Sequence, residues 1–599
     1  MNRLRKLDWF VFKHQTVLMT ILRVFTSVLS ILVIASLIYR YGFIHNNEKI
    51  VLINGVTKLF YVFYFISFLF RLTISQNRIE FLKVNVLETI LLIAIFYDAL
   101  SYYIFNQPLI ENLFIKFKIE NYHKIYHFII QLFLLTLAIV ELLKSINKTF
   151  NSKLKPTTLF IYSFVFLIFL GGALLTLPGF NYTGRYLNFV DALFTSASAS
   201  CVTGLTVVNT ATFFNVKGQF IILGLIQLGG IGILTFASFF ASFIKKGIGV
   251  RHQIAMSEIL DSDSLNSSLF LIKRILIMTF VIEAFGAFGI YMLWGDYPFY
   301  SEADKIWASV FHSISAFCNA GFSTLEYNFE TPIATDLYML HIFIGVIVVF
   351  GGIGFPVIRD VFSPLKLRER MKAPWKKWTL STKIAVYTSL ALTILGTIAF
   401  YFLHVDNLAH IKSPLGKFAA SFFQSVNTRT SGFNSINLEN LSNTTILITI
   451  FLMFVGASSS STGGGIKTST FIVVFMAVIG TIRGKSEMTL DKRTISVDLI
   501  YKAFAVVIFS GIFVLTIITL LSFTEPDLPI MKVAYETVSA FATVGLSTGI
   551  TSSFSDIGKL ILTFSMFIGR VGILTLAFSL SSKSLNKGYS YSNTHIMIG

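Results

Sequence analysis

The sequence has few charged residues for its length, and this scarcity excludes a soluble protein. Charged residues make up 13% of the 599 residues, whereas apolar residues make up 54% and phenylalanine alone occurs 63 times. A soluble domain carries about 25% charged residues. A chain of this length with a mean hydropathy of +0.73 cannot cover itself with solvated side chains. The sequence therefore predicts a membrane protein.

Residues needed for several kinds of site are also missing. With only two cysteines, Cys201 and Cys318, the sequence offers no disulfide framework and no zinc site. The acids furthest inside apolar segments, Asp98 and Glu283, have no acidic neighbour, which argues against a membrane enzyme. No dinucleotide-binding fingerprint occurs, and Ile466 separates glycine from lysine where a phosphate-binding loop needs them adjacent. We expect no catalytic site and no cofactor in this chain.

The net charge of +18 reflects basic loops and does not indicate a nucleic-acid partner. Lys and Arg are concentrated in alternate loops, near residues 71–83, 144–155, 245–274, 359–377 and 483–493. Because these residues are enriched in cytoplasmic loops, the pattern predicts that both termini are cytoplasmic. The basic N-terminus lacks a small-residue cleavage site, so the first apolar segment is predicted to be a retained span.

About twelve apolar stretches approach the roughly 20 residues that a membrane-spanning helix needs. They lie near residues 17–43, 55–74, 86–106, 124–145, 157–177, 216–244, 270–294, 335–360, 383–403, 443–482 (interrupted), 500–522 and 556–580. After residue 177, alternate loops are too polar to span a membrane and too apolar for water. They predict re-entrant segments, which are tolerated at membrane depth where they line a cavity.

Four of these loops resemble one another, which indicates an internal repeat. Each has an aromatic residue followed ten positions later by a glycine, in Phe194–Gly204, Phe311–Gly321, Phe422–Gly432 and Tyr535–Gly545. We predict an all-α integral membrane protein with four tandem helix–pore loop–helix repeats around one pore, preceded by four extra N-terminal transmembrane helices. The predicted boundaries are 1–150 for the N-terminal extension and 157–250, 265–365, 380–485 and 495–585 for the four repeats.

The residues before the four glycines suit a monovalent cation. The predicted filter residues are Val202, Thr203, Gly204, Asn319, Ala320, Gly321, Thr430, Ser431, Gly432, Thr543, Val544 and Gly545. None is a carboxylate, so carbonyls and hydroxyls would replace the ion's water shell, which suits a monovalent, weakly hydrated ion better than Ca²⁺ or Mg²⁺. The alternative is four ordinary extracellular turns. Four copies at spacings of 117, 111 and 113 residues disfavour it.

These motifs resemble the Trk/Ktr/HKT superfamily of K⁺ transporters, most closely a Trk- or Ktr-type membrane subunit. The resemblance covers residues 157–580 and rests on the four glycine-centred segments and on GASSSSTGGGIKTST at residues 456–470. It implies K⁺ uptake, with K⁺ preferred because the first filter position is Gly204. It also implies an intramembrane gating loop below the filter. The residues implied in the gate are Gly456, Ser458, Ser459, Ser460, Gly463, Gly464, Gly465, Lys467 and Arg570.

The resemblance further implies a homodimer in the cytoplasmic (inner) membrane, with a cytosolic nucleotide-binding regulatory subunit as partner.

For each of three charged residues, the sequence leaves two interpretations open. Arg570 either faces the gating loop or pairs with a buried group elsewhere, and Lys467 either acts in gating or extends to the cytoplasmic face. Arg429 either repels cations at the outer mouth or pairs with an acid. A Na⁺ or unselective cation conductor of the same fold is the alternative function.

Overall fold

Helices account for nearly all of the regular structure. A computed structural model describes residues 2–75, 77–105, 122–149, 156–243, 268–373, 375, 377–403, 411, 413–439, 441–485, 487–491 and 493–580. The strands in these residues form one antiparallel hairpin, β1 (Thr489–Leu490) with β2 (Arg493–Thr494). The chain divides into two compact units, Met1–Lys153 with Leu177–Tyr186, and Leu154–Thr176 with Leu187–Gly599.

The first unit is a bundle of apolar helices. Its helices are α1 (Asn2–Gly42), α2 (Asn47–Ile74), α3 (Arg78–Val84), α4 (Val86–Phe105) and α5 (Tyr122–Thr149), with a 3₁₀ turn at Pro178–Phe180. Residues Val17–Gly42 of α1 and the whole of α2 are long and apolar enough to cross a membrane. Helix α2 begins well before the predicted start near residue 55.

A buried ion-pair network holds the first unit together. Arg71, in the last turn of α2, is 4% exposed. It donates to Glu88 of α4 and to Glu141 of α5, the latter at 3.2 Å. A buried charge is costly unless it is paired, so these contacts fix the packing of the three helices. The placement of Arg71 in a cytoplasmic loop is therefore wrong, because α2 continues past it to Ile74.

The second unit contains four groups of helices, and in each group a long helix is followed by a short helix and then by further helices. The first group is α6 (Pro156–Leu175), α7 (Phe189–Ser200), α8 (Thr210–Phe213) and α9 (Val216–Phe243). The second is α10 (Ser268–Leu293), α11 (Glu302–Cys318), α12 (Pro332–Thr335), α13 (Tyr338–Ile353) and α14 (Phe355–Phe362), followed by α15 (Pro364–Lys372). The third is α16 (Leu380–Leu403), α17 (Pro414–Asn427), α18 (Asn443–Phe454) and α19 (Thr468–Ile482). The fourth is α20 (Val497–Thr524), α21 (Ile530–Phe541), a 3₁₀ turn at Thr551–Ser553, α22 (Asp556–Val571) and α23 (Ile573–Leu580).

The predicted span at 335–360 is not one straight helix. Among the described residues, five helices are long and apolar enough to cross a membrane, or six if α13 and α14 count as one span. These two helices are bent by 105° at Gly354, whose φ is +97°. A Cβ at Gly354 would lie 2.7 Å from the carbonyl oxygen of Ser459. The bend therefore reflects the close approach of residues 455–467, the non-helical segment between α18 and α19.

The short helices α7, α11 and α17 are held against the preceding long helix by the same contact. In each, a serine hydroxyl donates to a carbonyl of that helix, from Ser196 to Ile168 at 2.7 Å, Ser313 to Glu283 at 2.7 Å and Ser425 to Thr393 at 2.8 Å. A glycine of the long helix faces each serine, because a Cβ at Gly171, Gly286 or Gly396 would collide with its hydroxyl. Small residues allow such close helix packing, which sets the position of each short helix.

Candidate functional site

The glycines that follow helices α7, α11, α17 and α21 form a closed ring, called the glycine ring below. Gly204, Gly321, Gly432 and Gly545 have φ of +96°, +69°, +72° and +90°. A Cβ on each would come closer than 3.0 Å to the carbonyl oxygen just before the next glycine, that is Ala320, Ser431, Val544 and Thr203 in turn. The fourth glycine thus returns to the first. Only glycine fits, since both the backbone angle and the space exclude a side chain.

Three of the short helices end in the same turn. The residue before the glycine donates its N–H to a serine carbonyl five residues earlier, from Thr203 to Ser198 at 2.7 Å, Ala320 to Ser315 at 2.7 Å and Val544 to Ser539 at 2.8 Å. The turn holds Val202, Asn319 and Thr543 at φ of +58°, +61° and +50°, as in left-handed helix caps. These bonds fix the backbone that enters the ring.

The third segment is one residue shorter. Ser431 donates its N–H to the carbonyl of Asn427, four residues earlier, at 3.1 Å, so Asn427 takes the place of the capping serine. The buried aromatic residue of this helix is Phe423, which is 0% exposed like Phe194, Phe311 and Tyr535. The predicted alignment through Phe422 is wrong by one residue, because it assumed equal distances from aromatic residue to glycine.

Some polar atoms of the predicted filter residues have no partner among the described residues. The hydroxyls of Thr203, Ser431 and Thr543 are buried and have no hydrogen-bond partner among the described residues. The amide of Asn319 instead donates to the hydroxyl of Thr430 at 2.6 Å. A buried hydroxyl without a partner is costly, so these three oxygens are available to a cation or to water beside the carbonyls of the ring.

A cavity of about 260 Å³ opens on the glycine ring and is called the outer cavity below. All four glycines line it, together with the residues two positions further on, Thr206, Ser323, Asn434 and Ser547. Three carboxylates, Glu326, Glu330 and Glu439, also line it. These acids were not predicted from the sequence to be part of the site. Their place shortly after a filter glycine was the available signal.

The non-helical segment at residues 455–467, called the intramembrane segment, lies against the other side of the ring. A Cβ on Gly463 would lie 2.6 Å from Cγ2 of Thr430, and one on Gly464 would meet the side chain of Thr543. The segment is also bonded to the bend between α13 and α14. Ser458 and Thr462 donate their N–H groups to the carbonyls of Gly352 and Gly351, at 3.0 and 3.3 Å, and Phe355 donates to Ser460 at 3.3 Å.

Two cationic side chains hold the intramembrane segment. Arg570 is 3% exposed and donates to the carbonyls of Thr462 and of Gly229 in α9. Lys467 donates to the carbonyl of Gly463 at 2.6 Å. The structure thus places Arg570 against the segment, and in the described part of the chain no carboxylate forms an ion pair with it. Lys467 is half-buried and bonds within the segment, and its two interpretations stay predictions.

Arg429 takes neither of its two predicted positions. Its side chain is buried and donates to the carbonyl of Ser389 at 2.9 Å and to the hydroxyl of Thr393 at 3.3 Å. Both residues lie in the middle of α16, so Arg429 binds the preceding long helix, and in the part of the chain that the structure describes it forms no ion pair with an acid. The predicted outer-mouth placement is wrong, because Arg429 does not line the outer cavity.

The known proteins that this chain resembles are cation transport proteins. The chain matches the TrkH family, described as cation transport protein, over residues 123–588. It is 36% identical to the potassium/sodium uptake protein NtpJ of Enterococcus hirae, over 76% of this chain and 99% of that protein. It is 37% identical to the Ktr system potassium uptake protein B of Bacillus subtilis, over 74% of this chain and 97% of that protein.

The fold is also shared. The crystal structure of the potassium transporter TrkH from Vibrio parahaemolyticus matches with a TM-score of 0.57 at 17% identity, covering 83% of this chain and 97% of that one. The family region starts at residue 123, so it includes most of α5, which the predicted resemblance over 157–580 leaves out. The chain belongs to the TrkH family of cation transport proteins, a family of multi-pass membrane transporters and not of enzymes.

Proposed function

We propose that this protein takes up K⁺ across the cytoplasmic membrane through the glycine ring. The observation that carries the proposal is the closure of the ring, in which each of four successive segments approaches a backbone carbonyl of the next and the fourth returns to the first. Carbonyl rings replace the hydration shell of a K⁺ ion. The printed names of the two relatives, both potassium uptake proteins, support the same ion. In this proposal the four helix groups are tandem repeats around one pore.

The two sides of the ring have opposite charge, which suits a gated path for cations. On one side, the carboxylates of the outer cavity would attract K⁺ and raise its local concentration. On the other side, Arg570 and Lys467 lie in or against the intramembrane segment. Their positive charge and the segment itself would block conduction. We therefore assign the closed gate to residues 455–467, including Gly456, Ser458, Ser459, Ser460 and the glycines at 463–465.

The proposal extends to the assembly around this pore. We propose a homodimer in the inner membrane with one pore per subunit and both termini cytoplasmic. A cytosolic nucleotide-binding subunit would regulate the gate, acting through the basic loops on that side. The helices of residues 1–150 would add four spans to the pore repeats, whose boundaries stay as predicted from the sequence.

Growth and flux measurements test the proposal. Expression in a bacterium that lacks its own K⁺ uptake systems should restore growth at low external K⁺. Purified protein in liposomes should carry ⁸⁶Rb⁺, with K⁺ competing and Na⁺ competing weakly. Absence of both growth and ⁸⁶Rb⁺ flux, with the protein present in the membrane and with a candidate regulatory subunit added, would reject K⁺ uptake.

Sodium is the second candidate ion. The relative from Enterococcus hirae is named a potassium/sodium uptake protein, and its sequence is similar over most of this chain. Measurement of ²²Na⁺ flux in the same liposomes distinguishes K⁺ from Na⁺ as the transported ion. Comparable fluxes of ²²Na⁺ and ⁸⁶Rb⁺ would favour an unselective cation conductor, whereas a large excess of ⁸⁶Rb⁺ flux would favour K⁺.

The outer cavity should make uptake depend on pH near neutrality. Burial raises the pKa of Glu330 to about 7, and the neighbouring charge of Glu439 acts in the same direction. Above that pH the Glu330 carboxylate is charged and attracts K⁺, and below it the group is neutral. Lowering the pH from about 8 to about 6 should therefore raise the K⁺ concentration for half-maximal uptake about threefold.

Two variants of the outer cavity test this pH dependence. Glu330→Gln should remove the dependence and behave at every pH like the protonated wild type. Glu326→Gln removes a carboxylate from the same cavity at an exposed position and should keep the pH dependence. A pH dependence that survives in Glu330→Gln would show that another group is responsible.

A further inference from the structure

A buried carboxyl group supports the fourth segment of the glycine ring. Glu536 lies on α21 and is 0% exposed. Its Oε1 accepts hydrogen bonds from the hydroxyl of Ser547 at 2.6 Å and from the N–H of Thr548 at 2.9 Å. The hydroxyl of Thr548 lies 3.5 Å from the same Oε1, and Oε2 lies 3.0 Å from the hydroxyl of Thr551. Ser547 and Thr548 follow Gly545 by two and three residues, so the carboxyl ties the helix before the glycine to the chain after it.

The protons in this cluster can be counted. The oxygens of Ser547 and Thr551 lie 2.8 Å apart, so Glu536, Ser547 and Thr551 form three O···O contacts in a closed triangle. The N–H of Gly549 donates to the oxygen of Ser547 at 2.9 Å and supplies no proton to these contacts. Each contact needs one proton, and the two hydroxyls supply two. With an ionised carboxylate, both hydroxyls donate to Glu536 and the contact between them has no proton.

We propose that Glu536 is a neutral carboxylic acid that positions the fourth filter segment through a closed ring of three hydrogen bonds. The carboxyl proton supplies the missing third bond, from Oε2–H to Thr551, from Thr551 to Ser547, and from Ser547 back to Oε1. The N–H of Thr548 still donates to Oε1. Every buried oxygen of the cluster is then satisfied, as buried polar networks require. The group acts on ion selectivity by positioning Gly545 and the residues that line the outer cavity.

The equivalent place in the second repeat has a residue with a similar role. His312 precedes Gly321 by the same nine residues that separate Glu536 from Gly545. Its Nε2 lies 2.9 Å from the hydroxyl of Ser323, two residues beyond Gly321, and its Nδ1 lies 2.7 Å from the carbonyl of Ala308. The Ala308 carbonyl can only accept, so Nδ1 carries a proton, and in a neutral ring Nε2 accepts from Ser323. The side chains at this place thus support two of the proposed filter segments from behind.

The inference rests on the proposed function, and its first test measures selectivity in wild-type and variant liposomes. Glu536→Gln keeps the ring, because the amide donates to Thr551 and accepts from Ser547, and its K⁺/Na⁺ flux ratio should stay within about twofold of the wild type. Glu536→Leu leaves the N–H of Thr548 and both hydroxyls without the carboxyl and should lower the ratio about tenfold. A general folding defect would instead lower both fluxes in proportion.

Further variants break the ring of hydrogen bonds around Glu536 without replacing Glu536 itself. Thr551→Val and Ser547→Ala each remove one hydroxyl and should lower the K⁺/Na⁺ ratio about threefold to tenfold. Ser552→Ala changes an exposed hydroxyl in the same 3₁₀ turn and should leave the ratio unchanged. Equal losses of selectivity in Glu536→Gln and Glu536→Leu would overturn the inference, because the charge and not the ring would then matter. An unchanged ratio in Glu536→Leu would do so as well.

Infrared spectroscopy tests the protonation state independently of transport. The difference spectrum between wild type and Glu536→Gln at neutral pH should contain the C=O stretch of a protonated carboxyl group, shifted on exchange into D₂O. Carboxylate stretching bands in its place would overturn the inference. If the wild type proves unselective, the proposed function fails while the infrared result still decides whether Glu536 is neutral.

Discussion

Replacing Gly204 with serine is expected to abolish the preference for K⁺ over Na⁺. The φ of Gly204 is +96°, a conformation that costs a residue with a side chain about 1–3 kcal/mol. The new Cβ would also collide with the carbonyl of Ala320, which is one of the proposed ion ligands. A tenfold loss in the K⁺/Na⁺ ratio requires only about 1.4 kcal/mol, so either effect alone is large enough.

The measurement is the ratio of ⁸⁶Rb⁺ to ²²Na⁺ flux in liposomes at equal amounts of folded protein. The matched control is Gly224→Ser in the same repeat, because Gly224 lies in α9 and a Cβ there meets nothing within 4 Å. This control should keep the wild-type ratio. A wild-type ratio in Gly204→Ser would remove the glycine ring from the selectivity mechanism.

The positions of the four glycines were predictable from the sequence, and the geometry between them was not. Their spacing and the adjacent spans identify Gly204 and its three counterparts as one repeated feature. The closed order of contacts needs coordinates, because no sequence pattern states which carbonyl faces which glycine. The third segment shows the limit most clearly. A helix turn shortened by one residue at Asn427 is invisible when segments are aligned by their glycines.

Buried charges were the least predictable part of the fold. Arg71 and Arg429 are polar residues at the edge of apolar stretches, and such residues usually lie in loops. Their burial depends on partners far away in sequence, such as Glu141 for Arg71 and Ser389 for Arg429. The bend at Gly354 has the same origin, since it accommodates Ser459 of another helix group. Local propensity does not contain these contacts.

Deleting residues 457–464 is expected to raise K⁺ flux about tenfold, the effect of lowering a barrier by about 1.4 kcal/mol. The deletion removes the part of the intramembrane segment that lies against Thr430 and Thr543 and joins Gly456 to Gly465. These two glycines already touch, since a Cβ on Gly456 would lie 3.3 Å from the Cα of Gly465. The flanking residues Val455 and Ile466 also pair across the gap. The ends to be joined are therefore close, and because Val455 and Ile466 run parallel, the join requires a local change of backbone direction between α18 and α19.

Arg570→Gln provides a graded version of the same test. The guanidinium links the carbonyl of Thr462 in the segment to that of Gly229 in α9, and glutamine is too short to bridge both. Flux should rise, by less than in the deletion, because the segment stays in place while one buried charge and its bonds are lost. Arg483→Gln, which removes an exposed charge at the end of α19, should leave flux unchanged. If neither the deletion nor Arg570→Gln raises flux in folded protein, residues 455–467 do not close the pore, and the barrier must lie elsewhere along the path.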